Sequence, residues 1–309
     1  MTEKLRPQPS LRQLRHLVAL AEQLHFGRAA AACLVTQSAL SASLKELESL
    51  LDASLIERTK RSVMVTPLGR DMVARAREIL RHVDDLVDAA GSGEPLCGEL
   101  RLGVIPTIGP FLLPRVLPAL RDAHPELSLY LREDQTAALL DRLVRGDLDA
   151  VLLAYPYDHA GLDHMIFADD PFLVAMPLGH PLAALERIDQ RALGAETLLL
   201  LEEGHCLRDH ALAACDWQGA ERAAAFQATS LHTLVQMVDN RLGLTLLPKL
   251  AVDGGITRGT RLTLRPLAGS VSRQIGLAWR DSSSRGAEFT LLGGFFRDEL
   301  GTPITGVKA

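Results

Sequence analysis

The chain lacks any apolar run near the ~20 residues that a membrane-spanning helix needs. Its uninterrupted apolar stretches, Thr197–Leu201 among them, are only strand-sized. Residues 1–10 hold Lys4, Arg6 and two prolines with no apolar stretch behind them, so no secretion signal and no membrane partner are expected. A cytoplasmic setting with reduced thiols follows as the expectation. Aromatics are scarce at 4 %, and the four cysteines form no CxxC pair, which removes the usual zinc patterns. Nor is the chain basic: its net charge is −5. What is present is 47 % hydrophobic and 23 % charged residues over 309 positions, the balance of a globular α/β protein with two or three domains.

The charge is unevenly spread. Residues 1–70 carry ten Lys/Arg against six Asp/Glu, which leaves −9 for the remainder. A basic module on an acidic body suits nucleic-acid binding at one end. In that module, Leu11–Leu24 has one apolar face and Gly27–Cys33 is a short alanine-rich helix. Thr36 is placed to cap a helix running to Leu51, whose Leu40, Leu44, Leu47 and Leu51 stack on one side. The opposite side presents Ser38, Ser41, Ala42 and Lys45, small and polar enough for a major groove, with the Gln37 amide in the first turn. Two short strands, Leu55–Arg58 and Val63–Thr66, flank a basic tip whose Arg58, Lys60 and Arg61 suit phosphate contacts. The competing reading is a plain three-helix packing unit.

Thr66 and Pro67 open a long helix to about Ala90. Met72, Ala76, Ile79, Val83, Leu86 and Ala90 form a heptad seam that suits pairing with a second copy. Gly91–Pro95 is a hinge by composition. Beyond it, strand and helix patterns alternate to the C-terminus, which predicts parallel sheets covered by helices.

Two cysteines stand out. Cys33 reads as a small buried hydrophobe, and Cys97 has no reactive neighbour in sequence. Cys206, after the acidic turn Glu202-Glu203-Gly204, sits at or just before a helix N-terminus beside His205 and Arg208. That setting is expected to favour the thiolate. Cys215 follows nine residues later. In one regular helix the pair would lie ~13–14 Å apart along the axis and on opposite faces, so joining them requires the segment to remodel. The residues alone leave four readings open: a redox pair, two unrelated thiols, a metal site with His205 and His210, or a peroxidase centre.

The run Phe26-Gly27-Arg28-Ala29-Ala30, Thr36-Gln37-Ser38-Ala39-Leu40-Ser41, Leu55-Ile56-Glu57-Arg58 and Thr66-Pro67-Leu68-Gly69 resembles the winged helix-turn-helix of LysR-type regulators. Ser38 departs from it, standing where that family usually has proline. The resemblance implies an all-α winged helix-turn-helix (1–66), a dimerising linker helix with its hinge (67–95) and an α/β effector domain (96–309). The effector domain would consist of two Rossmann-like subdomains of the periplasmic-binding-protein kind, about 96–170 with 273–309, and 171–272. Gly204-His205-Cys206-Leu207-Arg208-Asp209 with Cys215, and Gly103–Pro110, Glu133–Thr136, Ala228–Leu231, Gly243–Pro248 and Arg273–Leu277, resemble the hydrogen-peroxide-sensing branch of that family. Carried over, Cys206 is the peroxidatic and Cys215 the resolving cysteine. Thr107 and Thr136 orient the peroxide, with His205, Arg208, Asp209 and Arg273 around them. The implied partners are double-stranded promoter DNA, hydrogen peroxide, RNA polymerase and further copies of the chain, as a dimer and then a tetramer. No metal, no cofactor and no enzymatic turnover are implied. The rival within the family is a regulator that senses a small metabolite, its cysteines incidental.

Overall fold

The computed structural model describes residues 8–58, 63–90, 95–157, 160–214, 227–269 and 271–301. Two compact units result, Met1–Ser92 and Gly93–Ala309.

The first unit holds α1 (Leu11–Gln23), α2 (Phe26–Ala32), α3 (Gln37–Leu51), a hairpin of β1 (Ile56–Arg58) and β2 (Val63–Val65), and α4 (Pro67–Ala90). Thr36 does cap α3, its hydroxyl accepting from the Ala39 N–H at 3.2 Å. The leucine stripe performs as its spacing predicts: Leu40, Leu44 and Leu47 are buried in the core of the unit and Leu51 packs at its margin. Glu48 bends back from α3 and accepts from the Leu55 and Ile56 N–H groups at 2.8 and 3.0 Å, fixing where β1 departs. Thr66 caps α4 through the Gly69 N–H at 2.9 Å. Gly69 has no substitute there, since a Cβ would lie 2.2 Å from the Leu55 carbonyl oxygen. The α4 seam is divided. Val73 and Ala76 are buried, and Arg77 pairs with Glu22 of α1 at 2.9 Å. Further along, Ile79, Leu86 and Val87 are exposed.

One contact in this unit leaves no pattern in the sequence. His16 of α1 is buried, and its Nδ1 lies 2.8 Å from the Ser43 hydroxyl on the inner face of α3. Burial, reinforced by Arg12, holds the imidazole below its ordinary pKa of 6.5. The unfolded chain therefore binds this proton more readily, and stability is lost as pH falls below about 6.5. Calorimetry of the full chain should show the transition of the first unit moving to lower temperature on acidification through that range. The slope should flatten in His16→Gln.

The second unit contains β3 (Gly98–Val104), α5 (Gly109–Ala123), β4 (Leu127–Glu133), α6 (Thr136–Arg145), β5 (Ala150–Tyr155) and β6 (Leu162–Pro177). A single 3₁₀ turn (Pro181–Ala184) and α7 (Gln190–Leu193) precede β7 (Leu200–Leu201), α8 (Cys206–Ala214), β8 (Gln227–Ala228) and α9 (Leu231–Asp239). Then come β9 (Thr245–Pro248), α10 (Lys249–Asp253), β10 (Leu262–Pro266), β11 (Ser272–Arg280) and α11 (Gly286–Gly301). The strand order is β10-β6-β11-β5-β3-β4, with β9 also on β6, and β7 and β8 form a separate parallel pair.

The expectation of parallel sheets holds only in part. β3 pairs parallel with β4 and β5, but β11 runs antiparallel to both β5 and β6, and β6 antiparallel to β9 and β10. The cause is β6. Its sixteen residues pair with β11 over Leu162–Pro171 and with β9 and β10 over Phe172–Pro177. Only Pro171–Met176 reads as a strand in sequence, because the earlier part lies half exposed and carries polar residues. β8, β10, α7 and α10 are too short for periodicity to announce them. All six residues of β5 are buried, and the core gathers around them.

Candidate functional site

In the first unit the outer face of α3 presents Thr36, Gln37, Ser38 and Lys45 to solvent, with Ser41 partly covered. Arg58 ends β1, while Lys60 and Arg61 lie outside the described residues. Cys33 is half-buried against the core of this unit, and burial, then Glu22, push its thiol pKa up.

In the second unit, β7 delivers the chain to Glu202, whose N–H is held by the Ala228 carbonyl of β8 at 3.0 Å. The chain then turns through Gly204 at φ +94°, a left-handed conformation that glycine adopts without strain. A Cβ at Gly204 would lie 2.5 Å from Gln135 Oε1, so the same glycine lets two loops close on each other. α8 begins at Cys206 immediately afterwards.

Against this turn stand the β3–α5 loop, bearing Thr107, and the N-terminus of α6, where Thr136 is the first helical residue. Ile105, Pro106, Thr107, Gln135, Thr136, Gly204, His205 and Cys206 enclose a cavity of about 10 Å³ for the centre of a water-sized sphere. That is room for about one water-sized molecule. Thr107, Thr136 and His205 are buried and Cys206 is partly exposed. Ile105, Pro106 and Gln135 are wall residues that no motif in the sequence marks as chemical.

The cation of the site comes from β11. Arg273, fully buried, donates from Nη1 to the Thr107 hydroxyl at 2.8 Å and from Nη2 to the Thr107 carbonyl at 2.9 Å. Its Nε donates to Asp170 Oδ2 at 3.0 Å, and Asp170 Oδ1 accepts from the Leu250 N–H at the start of α10. Arg208 points elsewhere, its guanidinium donating to the Leu201 carbonyl at 3.4 Å. Asp209 is exposed on the first turn of α8. Neither lies on the cavity wall.

The electrostatic balance at Cys206 differs from the sequence expectation. Burial dominates and pushes its thiol pKa up. Arg273, a hydrogen bond with the Thr136 hydroxyl and one from the Leu207 N–H pull it down, while Asp209 opposes them. His205 contributes no cation of its own: burial lowers its pKa, against a smaller pull upward from Glu202. Cys215 lies outside the described residues. Among the described residues no group of His, Cys, Asp and Glu could hold a metal ion, and no helix is long and apolar enough to cross a membrane.

The arrangement can therefore hold one small polar molecule between two hydroxyls and a thiol, with a buried guanidinium behind. Known proteins share both halves of the chain. Residues 11–70 match the bacterial regulatory helix-turn-helix proteins of the lysR family, and residues 93–301 match the LysR substrate binding domain. A probable hydrogen peroxide-inducible genes activator of Streptomyces viridosporus is 45 % identical over 300 residues, 96 % of each chain. The full-length OxyR of Pseudomonas aeruginosa, solved as a cysteine-to-aspartate variant, superposes with a TM-score of 0.78 at 36 % identity, covering 94 % of this chain and 95 % of that one. A cysteine-to-serine variant of Corynebacterium glutamicum OxyR, solved with H2O2 bound, gives 0.66 at 34 % identity, covering 96 % and 94 %. With a helix-turn-helix in its first unit and the substrate-binding fold in its second, this chain belongs to the LysR family of bacterial DNA-binding transcriptional regulators.

Proposed function

We propose that this protein is a peroxide-responsive transcriptional regulator whose switch is Cys206. The observation that carries the reading is the cavity of about 10 Å³ closed by Cys206, Thr107 and Thr136 with Arg273 behind Thr107. So small a space suits a small polar molecule, and HOOH, with a hydroxyl at each end, can bond both threonines. The Cys206 sulfur attacks one peroxide oxygen and the O–O bond breaks. The products are Cys206–SOH and hydroxide, which takes a proton to become water. The Cys215 thiol then attacks the sulfenic sulfur, water leaves, and a disulfide forms. Two peroxide electrons are thus supplied by two thiols, with no cofactor. Because α8 starts at Cys206 and Cys215 follows its last described turn, the bond cannot form on an intact α8. Oxidation therefore selects a different local fold.

The output runs through the first unit. Thr36, Gln37, Ser38, Ser41 and Lys45 meet base edges and phosphates of promoter DNA, and the cations Arg58, Lys60 and Arg61 serve the adjoining backbone. The exposed Ile79, Leu86 and Val87 of α4 suit pairing with a second copy, so that two heads read two half-sites. A tetramer on the promoter, contact with RNA polymerase and a cytoplasmic location complete the reading.

The test is direct. The reduced full chain is treated with stoichiometric peroxide, alkylated and digested. Mass spectrometry should find a Cys206–Cys215 cross-linked peptide, and the footprint on promoter DNA should change in parallel. Cys206 recovered wholly as the alkylated thiol would reject the reading in favour of a metabolite sensor.

A further inference from the structure

The reaction at Cys206 needs somewhere to place a proton. An ordinary cysteine, with a pKa of 9.0, is mostly protonated at neutral pH, and burial raises this one further. Among the wall residues the threonines and Gln135 are not bases, and the imidazole of His205 has its Nε2 turned toward the Glu202 carboxylate at 3.9 Å.

His210 lies four residues beyond Cys206 on α8. Residues at i and i+4 share a helix face, and helical side chains lean back toward the N-terminus, which carries the His210 ring over the turn that begins at Cys206. One ring nitrogen is directed at the carbonyl of Pro156, the residue after β5. The other, Nδ1, is buried and has no hydrogen-bond partner. With the ring proton given to that carbonyl, Nδ1 carries a bare lone pair, and a buried unsatisfied nitrogen calls for a reason. The groups around the ring agree with a neutral imidazole. Burial and Arg273 of β11 lower its pKa, against weaker upward pulls from the Pro156 carbonyl and Asp209. Arg273 acts on Cys206 as well, so the same guanidinium that stabilises the thiolate keeps the nearby base unprotonated.

We propose that His210 Nδ1 accepts the Cys206 thiol proton during oxidation and returns it to the peroxide oxygen that leaves, an inference that rests on Cys206 being the peroxide-reactive thiol. The balance is closed. Cys206–SH and neutral His210 become thiolate and imidazolium. The thiolate attacks one oxygen of HOOH and the O–O bond breaks to sulfenic acid and hydroxide. The imidazolium proton then converts hydroxide to water and restores neutral His210.

The experiment follows sulfenic acid formation at Cys206 in a full-length Cys215→Ser chain, which stops the sequence at that step. Trapping with dimedone and mass spectrometry would measure its rate with peroxide from about pH 5 to about pH 10. His210→Gln keeps an amide donor for the Pro156 carbonyl, so it removes the base and leaves the anchoring bond. We expect oxidation at pH 7 to slow on the order of tenfold to a hundredfold, with the rates converging at the alkaline end where the thiol ionises unaided. A rate within about twofold of the parent at pH 7, or an equal slowing at every pH, would overturn the proposal and leave His210 a packing residue. If the parent itself formed no sulfenic acid, the peroxide reading of Cys206 would fail and this inference with it.

Discussion

Cys206→Ser is expected to leave promoter binding by the reduced form intact and to abolish every change that peroxide produces in it. A serine hydroxyl can still accept the Leu207 N–H and meet the Thr136 hydroxyl, so the start of α8 keeps its hydrogen bonds. What it lacks is chemistry. The hydroxyl is far less acidic than a thiol and its oxygen cannot be oxidised to a sulfenic analogue, so neither the first electron pair nor the partner for Cys215 exists. Loss of peroxide response should therefore be complete, not graded. Cys215→Ser separates the two steps. Oxidation should halt at Cys206–SOH, which dimedone labels, and excess peroxide should carry it on to the sulfinic acid. Footprinting of the reduced and peroxide-treated forms of both variants, alongside intact mass, checks this. A peroxide-dependent footprint surviving in Cys206→Ser would move the sensor elsewhere in the chain.

Arg273→Ala should damage both stability and reactivity. The Arg273–Asp170 pair bridges two paired strand positions on β11 and β6, and its side chains are 0 % and 2 % exposed. Removing the guanidinium strands a buried carboxylate that otherwise accepts from the Leu250 N–H. Breaking a buried pair from one side costs about 3–5 kcal/mol. For a unit of this size that corresponds to a fall in melting temperature of roughly 10 °C. Restoring electrical balance with Arg273→Met and Asp170→Asn together should recover most of the loss. It should not recover reactivity. Thr107 loses both donors that orient it, and Cys206 loses the cation that offsets its burial. Each pKa unit withdrawn from the thiolate is worth about tenfold in its population at neutral pH. Peroxide oxidation of the double variant should thus remain slower by at least that order, as read by thiol alkylation kinetics. Normal kinetics in a stable double variant would show that the guanidinium serves the fold alone.

The readable parts of this protein are those governed by neighbours in sequence. Leu40, Leu44, Leu47 and Leu51 announce the buried side of α3 because a helix repeats every 3.6 residues. Thr36 and Thr66 announce helix starts because a hydroxyl three residues before a free N–H has little choice of partner. Likewise Gly204 before Cys206 marks a turn into a helix. None of that local grammar reaches Ser43, which lies within the polar-looking stretch of α3 yet faces His16, a residue 27 positions away.

Tertiary structure decided the rest, and for one physical reason: charge and solvation act through space. The motif around Cys206 suggested a thiolate favoured by His205 and Arg208, its nearest neighbours in sequence. In the folded chain Arg208 is turned to Leu201, His205 is held neutral by burial, and the effective cation is Arg273 from a strand 67 positions on. The mixed sheet has the same origin, since β6 passes from one set of partners to another along its own length. The amino-acid sequence by itself determined the family and the helix-turn-helix, and it singled out Cys206 and Cys215 as candidates. Only the fold decided which charges surround Cys206, how little room lies beside it, and that a histidine with one buried, unpartnered ring nitrogen stands one helical turn away.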